Sequence, residues 1–298
     1  MARVVVYLGY MFCKLALAAA SAAVLASHAL ATSTPLRVMS FNTRTTLGTH
    51  DGPEEWPNRR DLFVHTIAAA HPDVTGTQEL TQIQGDYVVR KLPEYRWFGI
   101  DRRGGHADEH MGVFYRRDRL RLVRSGNFWL SDTPDVVGSN SWRMPFPRMA
   151  TWGLFEDKVA HRRFYLFDTH LFHRDEDEPF RTRGVRVLLD QMARITGNSR
   201  VPVVVTGDFN TIPTSEAYRL MAAQLTDVRA AAPDVRGPEK TFHNFTGTPD
   251  QRIDWMFEKG FTPLSFATIT THRGSLYPSD HFPILAVLRW DGTGQGRD

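Results

Sequence analysis

The chain has 298 residues, a formal net charge of +3 and a single cysteine, Cys13. Cys13 and two of the positive residues, Arg3 and Lys14, fall in residues 1–31, which read as a secretory signal: no acid, an Ala-rich apolar run from Leu15 to Leu25, and a small-x-small site at Ala29-Leu30-Ala31. Cleavage there leaves 267 residues at about +1 without a thiol, which excludes disulfides, thiolate catalysis and Cys-based zinc sites and gives no charge argument for nucleic-acid binding.

An 11-residue apolar run is short for a bilayer span and no stop-transfer pattern follows. A secreted or periplasmic protein is therefore expected, with residues 32–298 forming one domain of ordinary size and large core. From the start of that domain, Leu36 to Asn42 reads as a strand, 43–58 as a Thr-, Gly-, Pro- and Asn-rich loop, and Pro57 as the opening of a helix with Phe63, Ile67 and Ala70 on one face. A short strand, Val74 to Gln78, ends at Glu79, and a helix follows near 81–92. Tyr95 to Ile100, Val113 to Tyr115 and Leu120 to Leu130 read as strands, with a Gly- and charge-rich loop from Asp101 to His110. Met149 to Phe155 and Phe164 to Leu171 are strands, and an acidic cluster, Asp175 to Glu178, precedes a helix with Val185, Leu188, Leu189 and Met192 on its buried face. The apolar run Val201 to Val205 is a strand, Thr214-Ser215 caps a helix through Met221, and Ile253 to Phe257 and Ile284 to Trp290 are late strands before a Gly-rich tail that is expected to fray after Asp291. Strands outnumber helices, and helices arrive singly between strand pairs. That pattern argues for α/β architecture with packed sheets flanked by helices, not a strictly alternating doubly wound sheet.

Chemistry gathers at the strand ends. Asn42, Glu79, the pair Asp168 and His170, the pair Asp208 and Asn210, Asp254, and the pair Asp280 and His281 close or open six separate strands. A single polar residue closing a strand is usually a turn former; six such positions carrying acid, amide or imidazole point to one site. Carboxylates are hard oxygen ligands for Mg²⁺, Mn²⁺ or Ca²⁺, and Mg²⁺ binds through a few carboxylates plus substrate phosphate oxygens. Two imidazoles stabilise phosphate charge or move protons near neutral pH.

Phe41-Asn42, Gln78-Glu79, Asp168-Thr169-His170-Leu171, Gly207-Asp208-Phe209-Asn210, Arg252-Ile253-Asp254-Trp255 and Ser279-Asp280-His281-Phe282-Pro283 occur in that order, and in this the chain resembles the endonuclease/exonuclease/phosphatase superfamily, with the fold of pancreatic DNase, over residues 36 to 290. The resemblance implies a four-layer αββα sandwich of two packed mixed β-sheets flanked by helices. It implies Glu79 as principal metal ligand, with Asn42 beside it and Asp280 nearby, and Mg²⁺ as the ion, Mn²⁺ or Ca²⁺ being the alternatives. His281 is then general base or phosphate-oxygen ligand, oriented by Asp254; Asp208 activates or positions the attacking water; Asn210 holds that water or a phosphate oxygen; His170 stabilises the leaving group or a phosphate oxygen. Glu109 falls where some members carry a carboxylate that pairs with that imidazole.

Around this set, Arg148 either reaches a substrate phosphate or forms a structural salt bridge, and His173 and His243 are candidates for the pocket wall. Arg181, Arg183 and Arg186 read as a solvated face that neutralises Asp175 to Glu178, and Arg102 and Arg103 as an exposed loop. The expected activity is hydrolysis of a phosphate ester by a monomeric, divalent-metal-dependent enzyme. A nuclease, a sphingomyelinase-type phospholipid hydrolase and an inactive binding module on the same scaffold are the alternatives. No amphipathic basic helix supports membrane action, and no Gly-x-Ser-x-Gly elbow supports a serine esterase.

Overall fold

Two mixed sheets pack face to face in the computed structural model, which describes residues 34–292; the expected signal segment and most of the tail lie outside the described residues. The first half of the chain supplies β1 (Leu36–Asn42), α1 (Trp56–Ala70), β2 (Val74–Gln78), α2 (Gln82–Lys91), β3 (Tyr95–Phe98), β4 (Val113–Arg116), β5 (Leu120–Trp129) and β6 (Met149–Asp157). The second half supplies β7 (Arg162–His170), α3 (Glu178–Thr196), β8 (Val203–Asp208), α4 (Glu216–Ala222), β9 (Thr226–Asp227), α5 (Val228–Ala231), β10 (Asp234–Arg236), β11 (Asp254–Lys259), β12 (Phe261–Thr268) and β13 (Ile284–Trp290). One sheet runs β10-β12-β13-β1-β2-β4-β3 and the other β5-β6-β7-β8-β11-β9. Only β1–β2, β10–β12 and β7–β8 pair in parallel.

Three apolar layers follow from the side-chain alternation of the strands. Val38, Val74, Ile284 and Ala286 of one sheet meet Phe164, Leu166, Val204 and Met256 of the other. The outer face of the first sheet, with Met39, Phe41, Phe114 and Leu285, is covered by Phe63 and Ile67 of α1 and Val88 of α2. The outer face of the second, with Phe167, Val205 and Phe257, is covered by Val185, Leu188 and Met192 of α3 and Met221 of α4. The expected αββα layering is thus the observed one. Each of these large side chains contributes about 1.5–3 kcal/mol on burial.

Local signals act where expected. Ser215 accepts the Tyr218 N–H at 3.1 Å and starts α4. β12 was not anticipated: Pro263 interrupts its alternation, and the strand accommodates the missing N–H at a register shift between Pro263 and Ser265. Nor were β9 and β10, which are only two and three residues long.

Topology explains why the polar strand ends converge. β1 and β2 run in parallel with Asn42 opposite Gln78, and β7 and β8 with His170 opposite Asp208, so four chain ends leave one edge. β11 and β13 run antiparallel to β8 and β1, so their first residues arrive at that edge: Asp254 pairs with Asp208, and Ile284, just after Asp280-His281, pairs with Ser40.

Candidate active site

A cleft of about 400 Å³ opens at this edge. Its floor joins the two sheets, because Asn42 of β1 donates through Nδ2 to Glu79 Oε1 at 3.1 Å and to Asp208 Oδ2 at 2.9 Å. Glu79 Oε2 accepts the Thr45 N–H at 2.9 Å, and Asp208 Oδ1 accepts the Asn210 N–H at 3.0 Å. Glu79 and Asn210 both have left-handed backbones, φ 61° and 50°. A non-glycine residue in that region costs of order 1 kcal/mol or more, and such strain concentrates at functional sites.

His281 Nδ1 lies 2.9 Å from Asp254 Oδ2, and its Nε2 lies 3.8 Å from Asp208 Oδ2. Burial opposes a charged ring, but the carboxylates of Asp254, Asp208 and Asp280 outweigh it and hold the imidazole well above its ordinary value. Asp254 is thus placed to orient the ring and to favour its charged form. Burial first, then the charges of Asp254 and Glu79, push Asp208 up to about 7 against the pull of His281 and Asn42. Asp280 is raised by burial and by Glu79. Glu79 itself is lowered: burial is outweighed by the Thr45 N–H, His281, Asn42 and Arg44.

His170 departs from expectation. Its Nδ1 faces the Arg148 guanidinium at 2.8 Å, not Glu109. Glu109 instead pairs with Arg102 at 2.6 Å and stands 3.8 Å from Arg148. Arginine has no acceptor, and the atom facing Nε2 at 2.9 Å is the Asn210 Nδ2, itself a donor that also bonds the Leu171 carbonyl at 3.2 Å, so donors face both ring nitrogens. Nε2 faces the cleft, 3.4 Å from Asp208 Oδ2. Burial, then the positive neighbours Arg148, His281 and Arg102, hold the ring well below its ordinary value, so it is neutral. Burial also lowers Arg148 to about 10 and, with the Glu79 charge, raises Glu109 to about 7.

The remaining candidates divide. His173 lines the cleft and stacks on Phe146, ring centroids 5.8 Å apart and 2° from parallel. His243 does not line it. Its ring lies 4.0 Å from that of Phe282, its backbone N–H bonds the Asp280 carbonyl behind the site, and burial lowers it to about 4. Arg181 is buried rather than solvated, binding Glu178 and the carbonyls of Phe172 and Arg174. Arg102 is likewise held in the cleft wall, over Phe146 at 4.4 Å.

Sequence reasoning missed Arg44, which reaches Asp280 at 3.6 Å, and Arg59, buried in α1 and bonded to the carbonyls of Thr43, Arg44, Glu54 and Pro278. Arg44 follows Asn42 by two residues, so its place beside a strand-end site was a usable signal. Nothing in the α1 pattern marks Arg59, because a charge among apolar helix positions reads as surface.

The donor set suits a divalent ion. Glu79, Asp208 and Asp280 are hard oxygen donors, while Asn42 faces the first two through Nδ2 and its Oδ1 accepts the Arg44 N–H at 3.0 Å; burial above all, with neighbouring carboxylates second, raises Asp208 and Asp280, a cost that a bound cation would relieve. Glu79, His170 and Asp208 present donor atoms within 4.8 Å of one another, as do Asp208, Asp254 and His281. In the second group His281 Nδ1 is committed to Asp254, with Asp208 3.8 Å from Nε2, so the first group is the better candidate to hold an ion. Acid, imidazole and guanidinium around a hard-donor floor are the equipment of a metal-dependent hydrolase of phosphate esters.

The chain belongs to the Endonuclease/Exonuclease/phosphatase family, whose sequence model matches residues 39–281. Members of this family are metal-dependent phosphoester hydrolases. The chain is similar to an endonuclease/exonuclease/phosphatase from Bacteroides vulgatus, at 32% identity and TM-score 0.80 over 87% of this chain and 100% of that one. It is similar to the mannosyl-6-phosphatase of Bacteroides thetaiotaomicron, at 29% identity and TM-score 0.79 over 85% of this chain and 99% of that one. Nocturnin from Homo sapiens is 26% identical over 186 residues, 59% of this chain. The chain spans 41% of nocturnin's length.

Proposed function

We propose that the chain hydrolyses a phosphate ester by in-line attack of water, with Mg²⁺ as its ion. The observation that carries this reading is the convergence of Glu79, Asp208 and Asp280 around one cleft with the His281–Asp254 pair beside it. Glu79 and Asp280 would hold the ion, with Asn42 orienting Glu79 beside them; the ion would supply charge neutralisation at the phosphoryl oxygens when bound.

The chain's own groups account for the rest. Asp208 accepts the proton of the attacking water, its Oδ2 being fixed by Asn42. His281, kept charged by Asp254, binds a phosphoryl oxygen rather than serving as base. His170 stands as a neutral ring beside the phosphate or the leaving oxygen, and Arg148 against its Nδ1 adds positive charge. Asn210 positions a phosphate oxygen or the water.

The test is turnover of p-nitrophenyl phosphate and bis-(p-nitrophenyl) phosphate with Mg²⁺, Mn²⁺, Ca²⁺ or EDTA. Turnover highest with Mg²⁺ and abolished by EDTA supports the reading, and the faster ester tells monoester from diester. Turnover undiminished by EDTA overturns it.

A further inference from the structure

The cleft does not end at Asn210. Asp175, Asn210 and Gln251 belong both to the cleft and to a second hollow of about 470 Å³, walled on its far side by residues 211–216. The two halves of this continuous groove have opposite character. Arg44, Arg102 and Arg148 stand on the catalytic side, Arg44 and Arg102 paired with Asp51 and Glu109 and Arg148 turned to His170. The cations of the second hollow are already taken: Arg181 by Glu178 and two carbonyls, and Arg219 by Glu216 at 2.9 Å and the Thr214 carbonyl at 3.1 Å.

What remains free there is different in kind. Among the described residues, the Asp175 carboxylate and the Gln251 carboxamide make no hydrogen bond or ion pair with another side chain. Both are exposed. The Thr214 hydroxyl is exposed beside them, and Ile212, 48% exposed, adds a small apolar patch. A strand of phosphates finds no unpaired cation and meets the Asp175 charge. A carboxylate, an amide and a hydroxyl beside a small apolar surface are instead complementary to an uncharged polyhydroxylated group, whose vicinal hydroxyls donate and accept while its CH face packs on Ile212.

We propose that this hollow is the subsite for the alcohol portion of the substrate, and that this portion is an uncharged polyol or sugar. The proposal rests on the phosphoesterase reading above and gives it a substrate class: a sugar or polyol phosphate, with the phosphate over Asn210 and the hydroxyls against Asp175 and Gln251.

The experiment compares kcat/KM for a hexose 6-phosphate, p-nitrophenyl phosphate and a short single-stranded oligonucleotide, in wild type and in the exposed-residue variants Asp175→Asn, Gln251→Ala and their double mutant. Expected is a preference of wild type for the hexose phosphate over the oligonucleotide. The double mutant should lose about tenfold on the hexose phosphate, mostly in KM, as two hydrogen bonds disappear, and should lose less than threefold on p-nitrophenyl phosphate, which has no hydroxyls to bind. Equal losses on both esters, or faster cleavage of the oligonucleotide by wild type, overturn the subsite. Failure of p-nitrophenyl phosphate turnover in wild type would instead strike the phosphoesterase reading itself.

Discussion

Asp168 offers the sharpest test of how the two sheets are held beneath the site. It is fully buried, and its Oδ1 accepts from Gln78 Nε2 and from the Thr206 hydroxyl, both at 2.7 Å, while Oδ2 and the Gln78 Oε1 have no partner. Burial is the main reason its carboxyl is held well above the usual range, so the folded protein keeps it protonated. The sign follows: below its unfolded pKa near 3.9 the group costs nothing, and as pH rises from there towards the folded value the unfolded chain releases the proton and stability falls. Asp168→Asn keeps Oδ1, mimics the protonated group and removes that slope. Its advantage over wild type should grow with pH, by about 1.4 kcal/mol for each unit that separates the folded and unfolded pKa. Asp168→Ala strands two buried donors and opens a small cavity, at about 3–5 kcal/mol. Urea denaturation of the three proteins at pH 5 and pH 8, with unchanged m-values, measures both effects. Parallel pH dependence of wild type and Asp168→Asn, or equal destabilisation by Asn and Ala, would refute the argument.

Gly76→Ala probes the same contact from the other sheet. A Cβ there would stand 2.1 Å from Thr206 Oγ1 and 2.2 Å from Asp168 Oδ1, so a loss of about 3 kcal/mol or more is expected in the same denaturation assay. Asp254→Asn removes the charge that orients and protonates His281; kcat should fall about 100-fold or more with an unchanged circular dichroism spectrum. Arg148→Lys loses the planar contact to His170 Nδ1 and should lower kcat about tenfold, with an altered His170 ring resonance in NMR spectra; an unchanged resonance would show that the guanidinium does not set the ring's surroundings.

Much of this molecule is legible in its sequence, for physical reasons. Strands such as β1 and β8 are short runs of buried residues, and each ends in a polar residue whose type betrays the site: Asn42, Asp208 and Asp254 were all placed by that signal, and they meet. What stayed hidden depends on tertiary partners. β12 conceals itself behind Pro263, and β9 and β10 are too short to carry a period. The partner of His170 could not be read, because both Glu109 and Arg148 reach the same corner and only the fold decides that the guanidinium takes Nδ1. His243 directly follows Phe242, which lines the cleft, yet turns its ring onto Phe282, a choice that burial makes and spacing does not record.

The central claim, that the carboxylate floor and the His281–Asp254 pair perform metal-dependent phosphoester hydrolysis, is tested most directly by Mg²⁺-dependent turnover of p-nitrophenyl esters in wild type, Glu79→Ala and His281→Ala. The account predicts turnover in wild type and a loss of at least about 100-fold in each folded variant. Activity within a few-fold of wild type in either variant would contradict it.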